Sequence, residues 1–149
     1  MAAPMPGRWI KSTEWLAGEL GKPDVAVVDG SYYLPTQNRD ARAEYTAAHI
    51  LGAVFFDINA IADHSTELPH MLPGPDQFGA AAGDLGISEK DTIVVYDGSG
   101  LYSAARVRWT FRIFGAPKVY ILDGGLPAWK TEGRPTEAGT AKRPKKTFN

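Results

Sequence analysis

Apolar and polar positions alternate along the chain between two kinds of stretch. Four short runs, Val25 to Val28, Ala53 to Phe56, Thr92 to Tyr96 and Lys118 to Leu122, are dense in β-branched and aromatic residues and have the length of buried strands. Between them the apolar residues take helical spacing. The strongest helical pattern runs from about Ser103 to Phe114, where Ala104, Val107, Phe111 and Phe114 fall on one face and Gly115 follows as a stop. Ser12 suits the N-cap of a helix carrying Trp15, Leu16 and Leu20, and Asp40 that of a helix through Tyr45 and Ala48. Pro75 suits the first turn of another. Strand-like runs alternating with helices predict an α/β fold whose mainly parallel sheet is buried on both faces under helices.

Two stretches break the pattern. Residues Asn59 to Pro75 form a long connection with Pro69, Pro73, Gly74 and Pro75, and a loop of that length in a small domain tends to be functional or mobile. From Thr131 to Asn149 the apolar pattern fades, and four basic residues gather between Lys142 and Lys146, as in a linker or tail. No solenoid-type repeat is visible. The division this implies is a domain over residues 1–135 and a linker over 136–149.

Length and charge narrow the picture. A chain of 149 residues, 44% hydrophobic and 22% charged, supports one sizeable core. Sixteen Lys and Arg against seventeen Asp and Glu leave a formal charge of -1, too weak a field to gather nucleic acid or anionic lipid. No apolar run approaches the roughly 18 to 20 residues that span a bilayer, and Met1 to Pro6 lack the pattern of a targeting segment. The expectation is a cytoplasmic protein with neither nucleic acid nor membrane as partner. The absence of cysteine removes disulfides, thiolate metal sites and every cysteine nucleophile.

Candidate chemistry collects at strand ends. Three strands finish in the same dipeptide, at Asp29-Gly30, Asp97-Gly98 and Asp123-Gly124, and ligands of open parallel sheets bind beyond the carboxyl ends of the strands. The dipeptide also simply makes turns, and three clustered carboxylates would suit a hard cation such as Mg²⁺. The segment Asp97 to Ser103 lies between a strand and a helix, so its glycines could cradle an anion, with Asp123 downstream as a ribose acid. Against a dinucleotide site, Ser103 stands at the third glycine position and too little chain remains for a second nucleotide-binding half. His49, His64 and His70 lack the helical pairing of a zinc site, so neither metal nor cofactor is expected. Arg108 and Arg112 suit a solvated helix face, whereas Arg106 sits in the first turn beside the Gly98-Gly100 loop. Its guanidinium could grip a carboxylate or sulfonate-like anion, or pair with Asp97 or Glu89; the spacing does not choose.

Six segments in order carry a family resemblance: Asp29 to Pro35, His49 to Asp57, His70 to Pro73, Tyr96 to Gly98, Leu101 to Val107 and Leu122 to Trp129. Together they cover nearly the whole chain, and it resembles the N-terminal rhodanese-like domain of the two-domain thiosulfate and 3-mercaptopyruvate sulfurtransferases. The resemblance implies that the catalytic cysteine belongs to an absent C-terminal half, with Asp97 at the equivalent position here. A carboxylate cannot carry a persulfide, because the reaction needs a polarizable thiolate. The resemblance also implies that Arg106 holds the anionic sulfur donor, that His70 and Tyr102 border the interdomain cleft, and that Tyr32 adds an apolar wall. The expected partners are the C-terminal rhodanese domain of the parent chain and a small anionic sulfur donor. Ala105 and Arg108 depart from the Pro and Trp often found there, so the helix is expected to meet the second domain differently. A rival reading with the same residues is a free-standing, cysteine-less binding module.

Overall fold

The apolar runs pair side by side, as strands buried on both faces must. A computed structural model describes residues 10–22, 24–31, 40–56, 75–98, 103–140, 146 and 148. In chain order the elements are β1 (Ile10–Lys11), α1 (Thr13–Glu19), β2 (Val25–Asp29), α2 (Ala41–Ala47), β3 (His49–Ile50) and β4 (Val54–Phe55). They continue with α3 (Pro75–Asp84), β5 (Thr92–Tyr96), α4 (Ala104–Ile113), β6 (Val119–Leu122), α5 (Gly125–Thr131) and β7 (Thr136–Glu137). A five-stranded sheet has the order β1-β6-β5-β2-β4, and β3 pairs with β7 in a separate ribbon. Every pairing in the larger sheet is parallel.

Strand alternation divides the interior into two cores, one on each face. Ala26 and Val28 of β2 with Ile93 and Val95 of β5 face Phe78 of α3 and Val107 and Phe111 of α4. Their neighbours Val25, Val27, Val94 and Tyr96 face Leu16 of α1, Tyr45 of α2 and Leu126 and Trp129 of α5. The expected helical stripe is therefore real: Ala104, Val107 and Phe111 are buried, and Phe114 packs against the same core.

Local signals act where the sequence placed them. Ser12 Oγ accepts the Trp15 amide at 3.0 Å and Asp40 Oδ1 accepts the Ala43 amide at 3.0 Å, so both caps satisfy otherwise orphaned helix donors. Pro75 begins α3. The run expected at Ala53 to Phe56 contracts to the strand Val54–Phe55, which among the described residues lies at the sheet edge beside β2. Arg112 is exposed, as expected, and Arg108 half-buried, and both also bond to backbone. Arg108 Nε donates to the Val119 carbonyl at 2.9 Å and Arg112 Nη1 to the Pro117 carbonyl at 2.9 Å, tying α4 to the entry of β6.

The chain after Thr131 contributes structure of its own. Thr136–Glu137 pairs with His49–Ile50, the Trp129 indole donates to the Pro135 carbonyl at 2.7 Å, and Phe148 is buried in the α3–α4 core. The connection from Asn59 lies outside the described residues up to its last position, Pro75. Among the described residues, no helix is long and apolar enough to cross a membrane.

Candidate functional site

The carboxyl ends of β2 and β5 lie side by side, with Asp29 opposite Tyr96. Asp97, the next residue, is fully buried. Its Oδ2 accepts the Ser103 amide at 2.7 Å and the Ala104 amide at 2.9 Å, so the carboxylate sits under the first turn of α4. A carboxylate there satisfies helix donors and complements the positive end of the helix dipole. Its own carbonyl accepts the Leu126 amide at 3.0 Å, which brings the start of α5 to the same place.

A second layer of bonds holds this corner. Ser103 Oγ donates to the Gly30 carbonyl at 2.6 Å, and the Gly98 amide donates to Ser31 Oγ at 2.9 Å. Ser31 in turn donates its amide to Asp29 Oδ1 at 2.9 Å. A Cβ on Gly30 would lie 2.8 Å from Val107 Cγ2, so the close approach of β2 to α4 requires glycine. Burial pushes the Asp29 carboxyl up to about 6, against the lowering effect of hydrogen bonds from Ser31 and Tyr96, and the Asp97 charge adds to the rise. Burial also drives the Tyr96 hydroxyl well above its ordinary range, reinforced by the Asp29 charge. The same hydroxyl accepts the Ile50 amide at 3.2 Å.

A cavity of about 440 Å³ opens beside this corner. Gly98 meets Ala47 and Ala48 of α2 and Leu126 and Pro127 of α5 there, with Glu44 and Lys130 among its lining.

The site residues expected from the sequence fare unequally. Asp97 lies at the strand-to-helix corner. Arg106 is exposed in the first turn of α4, its guanidinium 5.5 Å from the Trp109 ring centroid, within reach of a cation–π contact. His70, Tyr102 and Tyr32 lie outside the described residues, as does His64. His49 is buried: Nδ1 lies 2.9 Å from the Tyr45 carbonyl, Nε2 lies 3.1 Å from Glu137 Oε2, and the ring stacks on Tyr45. It joins β3 to β7 and has a structural role. Among the described residues, no group of three or more His, Asp or Glu side chains is placed to hold a metal ion. Asp123 is exposed, apart in environment from the buried Asp29 and Asp97.

This arrangement has the form of an anion-binding corner whose anion is part of the protein. The Ser103 and Ala104 amides that would receive a ligand's charge are engaged by Asp97. With no cysteine in the chain, the corner has no thiolate to attack sulfur.

The model of the rhodanese-like domain family matches residues 12–132. The chain belongs to that family. A thiosulfate/3-mercaptopyruvate sulfurtransferase of Arabidopsis thaliana, a mitochondrial form, is 48% identical over 132 residues, which are 89% of this chain and 35% of the relative. The 3-mercaptopyruvate sulfurtransferase of Escherichia coli K12 is 40% identical over 146 residues, 97% of this chain and 52% of that protein. The crystal structure of Escherichia coli SseA, described with the 3-mercaptopyruvate sulfotransferases, superposes with a TM-score of 0.90 at 41% identity. It is matched over 95% of this chain and 54% of that one. This rhodanese-like domain therefore spans between about a third and half of the length of these sulfurtransferase relatives.

Proposed function

We propose that this rhodanese-like domain is the non-catalytic N-terminal half of a two-domain sulfurtransferase. The parent would move a sulfane sulfur from thiosulfate or 3-mercaptopyruvate to cyanide or a thiol through a cysteine persulfide in its C-terminal half. The observation that carries this reading is Asp97: a buried carboxylate fills the corner that the family resemblance equates with the cysteine-bearing loop. The relatives' names supply the reaction class, and their greater length leaves room for a second domain.

In this reading Arg106 holds the carboxylate of 3-mercaptopyruvate or helps attract thiosulfate, His70 and Tyr102 border the interdomain cleft, and Tyr32 adds an apolar wall. Residues from 136 lead towards the catalytic half. Trp109 and Ile113, one turn apart on α4, are 46% and 48% exposed on the helix that bears Arg106. Large apolar side chains left open in this way support a covering surface there, as an interdomain contact would provide. A cytoplasmic location belongs to the same proposal.

The test compares the 149-residue chain with the same chain joined to its C-terminal catalytic domain. Alone, it should form no thiocyanate from thiosulfate and cyanide; joined, it should turn over. Arg106→Ala in the joined protein should raise KM for 3-mercaptopyruvate about tenfold or more, the scale of a lost charge-assisted hydrogen bond, and KM for thiosulfate less. Equal rises for both donors would count against a carboxylate-specific grip. Turnover by the isolated chain would overturn the non-catalytic assignment.

A further inference from the structure

Helix α3 has two glycines one turn apart, Gly79 and Gly83, on the side where the chain returns. A Cβ on Gly79 would lie 2.9 Å from the Phe148 carbonyl oxygen, and one on Gly83 only 2.4 Å from the Lys146 carbonyl oxygen. These are contacts with backbone, which a flexible side chain cannot relieve by moving aside. The Lys146 amide donates to the Gly83 carbonyl at 3.0 Å. Lys146 Nζ reaches both oxygens of Asp91, at 3.1 and 3.0 Å, and the Asp91 carboxylate is almost wholly buried. Phe148 enters the aromatic core, its ring centroid 5.2 Å from Phe78 and 6.2 Å from Phe111.

Backbone fit, charge and an aromatic anchor thus coincide on two residues of a stretch whose sequence reads as a polar linker. Chance contact of a tail would not require glycine at two successive turns of the helix. We infer that α3 carries a recognition groove for a Lys-x-Phe segment, and that the chain's own Lys146 and Phe148 occupy it as an anchor. The glycines admit the close approach of the segment's backbone, Asp91 selects a cation at its first position, and the Phe78–Phe111 pocket selects an aromatic ring two residues later. Anchoring fixes the point where the chain leaves the domain. In the two-domain reading, on which this consequence rests, the stretch from residue 136 is held against α3 at Lys146 and Phe148 before it continues to the catalytic half.

Amide hydrogen exchange on the 149-residue chain tests the anchor. The Lys146 amide should exchange at least about a hundredfold more slowly than in an unstructured peptide, as expected for a bonded amide in a locally stable unit. Lys146→Met keeps the apolar stem and removes the ammonium; it should lower that protection about tenfold while the Ile93 amide in central β5 stays unchanged. Gly83→Leu should abolish protection at residue 146 although leucine favours the helix more than glycine. Wild-type exchange at the peptide rate would overturn the inference, as would an equal fall at Ile93, because the effect would then be global. Protection that appears only with dimers seen by light scattering would assign the groove to a second copy's segment and would equally overturn it. None of these outcomes depends on sulfur transfer, so the anchor and the two-domain reading fail separately.

Discussion

Replacing Asp97 by alanine should lower the stability of this rhodanese-like domain by about 2–5 kcal/mol, a fall in Tm on the order of 10 °C. The carboxylate is fully buried and accepts two main-chain amides, those of Ser103 and Ala104. Alanine leaves both donors without this acceptor, and each buried unsatisfied group costs about 1–3 kcal/mol. It also removes a negative charge from the positive end of α4. Asp97→Asn keeps a side-chain oxygen for the amides and should cost distinctly less. Thermal melts of the two variants at pH 7 decide the matter. Equal, small losses would mean that Asp97 does not hold the corner. The expected result would place the Asp97 carboxylate in the hold of this corner on α4, through the Ser103 and Ala104 amides.

How much of this was legible in the sequence depended on whether the determining contacts were local. Thr92 to Tyr96 forms a strand at its expected limits because five consecutive β-formers suit a position buried on both faces. The Ser12 and Asp40 caps act within three residues, so they too were readable. The two-residue strands β1, β3 and β7 are too short to show a period, and each depends on a distant partner. His49 meets Glu137 across 88 positions, a pairing that no spacing rule could supply. Lys146 and Phe148 looked like parts of a polar tail because their partners, Asp91 and Phe78, lie more than fifty residues earlier.

The candidate site divides in the same way. The strand-end Asp-Gly dipeptides marked the corner, and Ser31 and Ser103 stood nearby in sequence. Their roles appear only when β2 and β5 are paired, which places the Ser31 hydroxyl against the Gly98 amide and the Ser103 hydroxyl against the Gly30 carbonyl. Arg106 could be placed in the first turn of α4 from spacing alone. Its contact with Trp109 follows from the helical offset of three.

Asp29 should make stability depend on pH in the direction opposite to an ordinary paired carboxylate. Its carboxyl is raised from 3.8 to about 6, chiefly by burial. Between those values the folded protein keeps a proton that the unfolded chain has released, so this contribution to stability is fully present below about pH 4. It declines as pH rises towards 6 and is lost above that. Two pH units at about 1.4 kcal/mol each give a loss of about 3 kcal/mol across the window. Glu132 and Glu137 act with the opposite sign: hydrogen bonding, first from Thr13 and from the Gly52 amide respectively, lowers both. Their contributions disappear as pH falls, so the melting profile of the wild type alone mixes the two senses. Comparison with Asp29→Asn isolates the buried group. Asparagine can still accept the Ser31 amide but cannot ionise, and any change in its bond with Tyr96 enters as a constant offset. Urea unfolding at pH 4 and pH 7.5 should therefore show the variant gaining about 3 kcal/mol relative to wild type between the two conditions, whatever the sign of the difference at pH 4. A difference that does not change with pH would show that Asp29 ionises alike in the folded and unfolded states. Because Asp29 holds Ser31, and Ser31 receives the Gly98 amide, the same titration should reach the corner beside Asp97. The Gly98 amide resonance should then shift with a midpoint near pH 6 in the wild type and stay fixed through that range in Asp29→Asn.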